Sequence, residues 1–417
     1  MNLRAIACTV SLLCACEANE VVLDAVPSPL PDTRAGGIPA DIISVLDTSK
    51  APDAEMDTDT GQHHDTFGRT PLEDSSSWEP PDTSQIDADS GDTYDEPPIV
   101  GLAEAKALYG TYCSLCHGPN GEGYLADGAN QLNNQSWLAT VSDEHIQAAI
   151  AIGRPSTTMS SWSKTYAGPL TGVETQALVK LIRGWQTEPY IELSNEPIIG
   201  SASRGAGIWE FHCASCHGTD GSGGPFSALG NAVLLSTASD AFLRYAIAKG
   251  RPGTPMPGYD NILTSQAIDD LVVLMRSWSA DIQLPPTELP NDAAPAVLNP
   301  SADNAALGDD FYSPLDTIFA EYSAGKRLTI IDARPPGDYI EEHISGAISV
   351  PFYAVEDHLD RLDKAVPIVA YCACPHAESG TAASALQAQG FTLVHVLDEG
   401  FFAWRDTGLP TATGPNP

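Results

Sequence analysis

Two Cys-x-x-Cys-His motifs, Cys113–His117 and Cys213–His217, stand 100 residues apart, and the sequence around them repeats. GLAEAKALYGTYCSLCHG corresponds to SRGAGIWEFHCASCHG, each an aromatic-bearing helical stretch running into the motif. Downstream, SDEHIQAAIAIGRPSTTM corresponds to SDAFLRYAIAKGRPGTPM, and TGVETQALVKLIRGW to TSQAIDDLVVLMRSW. The last pair has helical apolar spacing and a shared Arg-x-Trp ending. Each copy therefore predicts a small all-α domain: first helix, motif, long loop, middle helix, glycine turn, methionine loop, last helix. The copies are placed at 99–190 and 199–281.

Cysteines at i and i+3 of a helical turn face the same side, so both thiols can add to the vinyl groups of one porphyrin. The adjacent histidine then presents an imidazole nitrogen to the iron. Zinc sites and redox motifs share a lone copy of this pattern. Two copies in one chain, each followed by Gly-x-x-x-x-x-Met, point instead to two covalent c-type haems on Cys113, Cys116, Cys213 and Cys216, with His117 and His217 on the irons. Over residues about 100 to 280 the pattern resembles class I cytochromes c, which implies electron transfer. In that family a methionine on the far loop is the second axial ligand. The matching residues are Met159, 42 residues after His117, and Met256, 39 after His217. Met275 falls on the apolar face of the last helix and reads as core. His145 reads as an ordinary helix position, because its counterpart is Phe242, and His212 is too close to Cys213 to reach the far face of its haem. Tyr109, Trp185, Trp209 and Trp278 read as packing and haem-edge residues.

The formal charge of the 417-residue chain is −35, which makes nucleic acid and anionic membrane surfaces poor partners. Between Glu17 and Pro98, 20 acidic residues face only Arg34, Lys50 and Arg69, and 10 of the 33 prolines fall there. Such a stretch buries too little apolar surface to offset its ordering entropy, so 17–98 is expected to be a disordered tether. Residues 1–16 carry Arg4 and then an apolar run too short to span a bilayer, the pattern of an export signal. Leu13-Cys14-Ala15-Cys16 resembles the lipobox of bacterial lipoproteins, which implies acylation at Cys16, membrane anchoring and a periplasmic or outer-membrane location. With Cys8 and Cys14 also in the signal, only Cys372 and Cys374 remain of nine cysteines.

After a Pro-, Ala- and Asp-rich stretch read as a linker (282–313), the periodicity changes. LTIIDAR, AISVPF, PIVAYCA and LVHVLD are short apolar strands separated by helical segments, predicting a small parallel α/β domain over 314–413. The markers Asp332-Ala-Arg334, Glu341-Glu-His343-Ile-Ser-Gly346-Ala347, Tyr371-Cys372, Leu397-Asp-Glu-Gly400 and Trp404 resemble the rhodanese family. The resemblance implies a nucleophilic cysteine at Cys372 and structural roles for His343 and Arg334. Its loop, read as Ala-Cys-Pro-His-Ala-Glu before a helix opening at Ser379, departs from the family by one added residue and by Glu378 in place of arginine. A carboxylate there repels thiosulfate and raises a neighbouring thiol's pKa.

Three readings of this loop stay open. Cys372 forms a persulfide and passes on sulfur or electrons, assisted by Cys374 or His376; the Cys-x-Cys pair cycles as a disulfide or binds a metal; or the domain is a degenerate docking module. The fold class is thus multidomain: two all-α cytochrome c domains, then a parallel-sheet rhodanese-like domain, behind a disordered tether. The expected function is electron transfer with redox proteins or small sulfur compounds as partners. The alternatives are a sulfurtransferase and a plain electron carrier.

Overall fold

Helix starts follow from capping side chains. The computed structural model describes residues 100–126, 128–279, 282–373 and 376–417. Cys16, the acidic segment 17–98 and Cys374 lie outside the described residues. In the first repeat, α1 (Leu102–Tyr112) runs into α2 (Ser114–His117), followed by α3 (Gln135–Leu138), α4 (Asp143–Ala151) and α5 (Gly172–Arg183). The second repeat gives α6 (Ala202–His212), α7 (Ala214–His217), α8 (Ala232–Thr237), α9 (Asp240–Lys249) and α10 (Ser265–Ser277). Asn134 and Asn231 cap α3 and α8, Ser142 and Ser239 cap α4 and α9, and Thr171 and Thr264 cap α5 and α10. At α5 the cap is reciprocal, with Glu174 reaching back to the Thr171 backbone N–H.

The Arg-x-Trp ending has a structural cause. Arg183 donates to Asp143 and to the carbonyl oxygens of Leu138 and Val141, tying the end of α5 to the α3–α4 junction. Arg276 makes the same three bonds, to Asp240, Leu235 and Ala238. Two residues on, Trp185 packs edge-on to Tyr109 with ring centroids 5.1 Å apart, and Trp278 to Trp209 at 4.7 Å.

The repeats pack through reciprocal contacts. Asn134 donates to the carbonyl of Pro252 at 2.9 Å, and its counterpart Asn231 donates to the carbonyl of Pro155 at 3.1 Å. Each asparagine thus spends its oxygen on its own helix and its amide N–H on the other repeat. Between them, His145 tilts over Phe242 (5.7 Å), accepts from Arg154 at Nε2 and lies 2.9 Å from Thr237 Oγ1 through Nδ1. Thr237 gives its own proton to Val233, so His145 must donate from Nδ1. This neutral imidazole is an interface residue.

In the C-terminal domain, β1 (Tyr312–Ser313), β2 (Thr329–Asp332), β4 (Ile348–Ser349), β5 (Ile368–Tyr371) and β6 (Val394–Leu397) form a parallel sheet in the order β1-β6-β5-β2-β4. The central strands are buried along their whole length, as parallel strands covered on both faces are. Helices α11 (Leu315–Ser323), α12 (Pro336–Glu341), α13 (Ala377–Ala388) and α14 (Gly400–Asp406) provide the cover, and β3 (His343–Ile344) pairs antiparallel with β7 (Thr411–Ala412). The preceding stretch, read as a linker, in part joins this domain. Leu298 pairs with Leu328, Ala305 donates to the Arg327 carbonyl, and Ala305 and Leu307 are buried. Its Pro- and Asp-rich composition masks those few apolar anchors.

This domain packs on the first repeat. Tyr112 meets Tyr353 edge-on at 5.2 Å, and Trp162 lies against Phe352 and Tyr353. At Gly337 in α12 any Cβ would come within 2.7 Å of the Tyr166 carbonyl oxygen, so the glycine sets the approach.

Two outcomes follow. Arg183→Met leaves two carbonyls without their donor, and we expect a loss of about 2 kcal/mol in chemical denaturation. Burial, and then the Arg154 and Arg251 charges, push His145 down to about 3 from 6.5. Below about pH 6.5 the unfolded chain binds a proton that the folded one refuses, so this contribution to stability is complete above 6.5 and declines as pH falls. His145→Phe, which copies the other repeat, should flatten that acid limb in urea midpoints measured between pH 7.5 and 5.

Candidate functional site

Cys113 and Cys213 occupy the junctions α1–α2 and α6–α7, where the chain continues helically and the His117 and His217 backbone N–H groups donate to their carbonyls. The thiols of Cys113 and Cys116 and the His117 ring come to one cavity wall, and Cys213, Cys216 and His217 come to another wall of the same cavity. Met159 and Met256 line it as well. The cavity is continuous between the repeats and measures ≈ 560 Å³.

Each motif histidine is held in one tautomer. His117 Nδ1 lies 2.8 Å from the Asn130 carbonyl oxygen and His217 Nδ1 lies 2.9 Å from that of Ser227. A carbonyl only accepts, so the proton sits on Nδ1 and the lone pair of Nε2 is left for a metal. Burial lowers both imidazole pKa values, which favours the neutral, ligating form. The glycine after each motif is fixed too: Tyr109 Oη donates to the Gly118 carbonyl at 2.8 Å and Trp209 Nε1 to that of Gly218 at 2.9 Å. Tyr109 and Trp209 therefore do the same work with different donors.

The methionine loops close on a glycine. At Gly153 (φ +74) a Cβ would lie 2.5 Å from the Ser160 main chain, and at Gly250 (φ +64) 2.4 Å from that of Pro257. Both the close approach and the positive φ exclude other residues. Arg154 and Arg251 donate their backbone N–H to the carbonyls of Met159 and Met256, and Thr157 and Thr254 accept from the methionine N–H groups. The loops are thus pinned at three points each.

These residues fit a c-type haem. The donor set offers two thiols, an imidazole nitrogen and a thioether, and the walls are largely apolar and aromatic. Arg154 and Arg251, which the sequence reading passed over, line the cavity and have no carboxylate partner among the described residues. Burial lowers both guanidinium pKa values to about 10. Two half-buried cations with no carboxylate partner among the described residues suit the propionate carboxylates of such a group. The signal was present as a Gly-Arg-Pro shared by both repeats. Met275, buried in the core, and His212 also border the cavity, whereas Trp185 and Trp278 stand behind Tyr109 and Trp209.

The cysteine of the C-terminal domain follows β5. Cys372 is fully buried, with its sulfur 3.2 Å from Ser379 Oγ. His376 has φ +75 and pairs with Asp398 at 2.6 Å, with its ring against Tyr312. That left-handed residue turns the chain early, so α13 opens at Ala377 and not at Ser379 as the sequence suggested. Glu378 consequently sits in the first turn of the helix and points inward. It is buried and lines the cavity beside the first motif, and α13 packs on α2. Burial, and next the proximity of Cys372, raise its pKa well above the usual carboxylate range. Asp338 lies in the same electrostatic group, where burial lifts it to about 6 against the pull of Arg334. Arg334 and His343 hold the domain together: Arg334 pairs with Asp332 and donates to the Glu342 carbonyl, and His343 stacks on Tyr339 at 3.8 Å. Among the described residues no group of three or more His, Cys, Asp or Glu side chains is arranged to hold a metal ion.

The sequence matches the family described as cytochrome C oxidase, cbb3-type, subunit III, over residues 101–182 and 200–275, and the rhodanese-like domain family over 317–407. It is 29% identical over 198 residues to the cbb3-type cytochrome c oxidase subunit FixP of Bradyrhizobium sp. (strain ORS 278), covering 46% of this chain and 66% of the relative. The chain thus spans slightly under two thirds of the length of FixP. It is 35% identical over 89 residues to the thiosulfate sulfurtransferase GlpE of Pseudomonas fluorescens, covering 21% of this chain and 80% of the relative. Among solved structures, the rhodanese-like domain of an Anabaena sp. protein is 30% identical with a TM-score of 0.23, covering 25% of this chain and 80% of that one. The chain accordingly carries two cytochrome c domains that match the cbb3-type subunit III family, followed by a C-terminal domain that belongs to the rhodanese family.

Proposed function

We propose that this is a dihaem electron carrier of the bacterial cell envelope whose first haem receives electrons from sulfur chemistry at Cys372. Cys113 and Cys116 would hold one haem by thioether bonds, and Cys213 and Cys216 a second. His117 with Met159, and His217 with Met256, would hold the two irons. The observation that carries the reading is the shared cavity, in which both motifs and both methionines meet Glu378 from the helix that follows Cys372. A bound c-type haem supplies one-electron exchange, at a potential raised by methionine ligation. The chain's own groups do the rest. Arg154 and Arg251 balance the propionates, Gly153 and Gly250 let the methionine loops close, and the Asn130 and Ser227 carbonyls orient the imidazoles. Cys16 is the lipid anchor, residues 17–98 the tether, and redox proteins or small sulfur compounds the partners.

At Cys372 the step is Cys–SH + HS⁻ → Cys–S–SH + H⁺ + 2e⁻. The sulfur–sulfur bond forms, both S–H protons are accounted for, and two one-electron acceptors take the two electrons. Burial of Cys372 and the carboxyl of Glu378 in the arginine position weigh against ordinary thiosulfate sulfurtransfer. A domain that only docks a redox partner is the second reading, favoured by the same loss of the arginine.

A spectroelectrochemical titration tests the haem assignment: two haems per chain are expected, and Met256→His should lower the potential of one alone. A single haem, or high-spin iron in the reduced state, contradicts it. For the sulfur step, stopped-flow reduction by hydrosulfide should slow roughly tenfold or more in Cys372→Ser, while reduction by dithionite is unchanged. Equal hydrosulfide rates leave only the docking reading. Glu378→Arg should bring thiocyanate formation from thiosulfate and cyanide above the level of the native protein.

A further inference from the structure

The carbonyls that orient the two histidines belong to residues that touch each other. Asn130 accepts from His117 Nδ1 at 2.8 Å, and Ser227, 97 positions later, accepts from His217 Nδ1 at 2.9 Å. These are equivalent positions: the same offset of 97 relates Asn134 to Asn231, His145 to Phe242 and Pro155 to Pro252. Across the interface, Ser227 Oγ donates to Asn130 Oδ1 at 2.6 Å. Three hydrogen bonds and two residues therefore connect one imidazole to the other. Of the reciprocal contacts between the repeats, this one runs through the ligand side of both sites. The two positions also carry complementary groups, an amide oxygen and a hydroxyl. The edge-on contact of Tyr124 with Phe226, at 6.0 Å, braces the same pair of loops.

We propose that the Ser227–Asn130 hydrogen bond couples the two centres, so that electrons pass between them, and each senses the charge of the other, through the histidine supports. The proposal rests on the two-haem, histidine-ligated reading above and adds to it a defined route. The Nδ1–H bond of a ligating histidine tunes its donor strength, and its acceptor is the outer-shell group that carries the effect. The route alternates hydrogen bonds with the covalent bonds from main chain to side chain of Asn130 and of Ser227, and so links the two imidazoles without a gap through space. In each transfer one electron leaves the ferrous centre and enters the ferric one, and no proton is gained or lost. Asn130 and Ser227 are positioning residues in this scheme, since neither meets the iron. The competing route is directly across the cavity that both motifs line.

The test uses the full-length holoprotein with Ser227→Ala, which keeps the carbonyl to His217 and removes only the hydroxyl. After rapid one-electron reduction, equilibration between the two centres should slow roughly fivefold or more, and the midpoint potentials should shift. Ser227→Thr, which retains a hydroxyl, should restore both quantities. Asn130→Ala breaks the same bond from the other side and should match Ser227→Ala, so the result does not depend on one variant folding. Two haems in every variant together with native equilibration rates and potentials would overturn the coupling and assign the transfer to the cavity. One haem per chain in the native protein would overturn the two-haem reading itself.

Discussion

The cavity between the repeats exists because Asn134 and Asn231 each serve two masters: a side-chain oxygen caps the asparagine's own short helix, and its amide N–H reaches a proline carbonyl of the opposite repeat. Those carbonyls follow Gly153-Arg154 and Gly250-Arg251, at the start of the methionine loops. Joining the repeats therefore also sets where the methionines stand. Two half-buried arginines lie in the same seam, Arg154 against His145 and Arg251 over Phe242. A partly desolvated cation with no carboxylate partner among the described residues is costly unless the cavity it faces carries negative charge.

Much of this was readable wherever the cause is local in sequence. A Cys-x-x-Cys-His turn, a Ser or Thr cap and a Gly-x-x-x-x-x-Met spacing each act over a few residues, and the structure brings all eight side chains of the two motifs and their methionines to one cavity. What was not readable depends on surfaces that meet only after folding. Tyr109 and Trp209 look like different residues, yet each donates to the glycine after its motif. The contact of Tyr112 with Tyr353 joins elements far apart in the chain, and nothing in either segment announces the other. The helix after Cys372 was placed two residues late because His376 adopts a left-handed turn that its sequence does not advertise.

That misplaced turn matters for charge. With Ala377 opening α13, Glu378 occupies the first helical turn, where an anion would gain from the helix dipole, yet burial raises its pKa. Desolvation outweighs the dipole here. A carboxyl beside Cys372 lacks the positive field that a rhodanese loop gives its sulfur. Asp338 and Arg334 extend this group towards the Asp332–Tyr371 bond at the sheet's end, so the cysteine's surroundings are tied to the domain's own core.

The packing of α13 on α2 has a consequence for biogenesis. Ala377, which begins that covering helix, comes 160 residues after His217, so a growing chain completes both motifs long before their cover exists. The first motif is thus complete in the growing chain while the helix that packs on it is still to be made. The element that covers the first motif is therefore made after both repeats are complete.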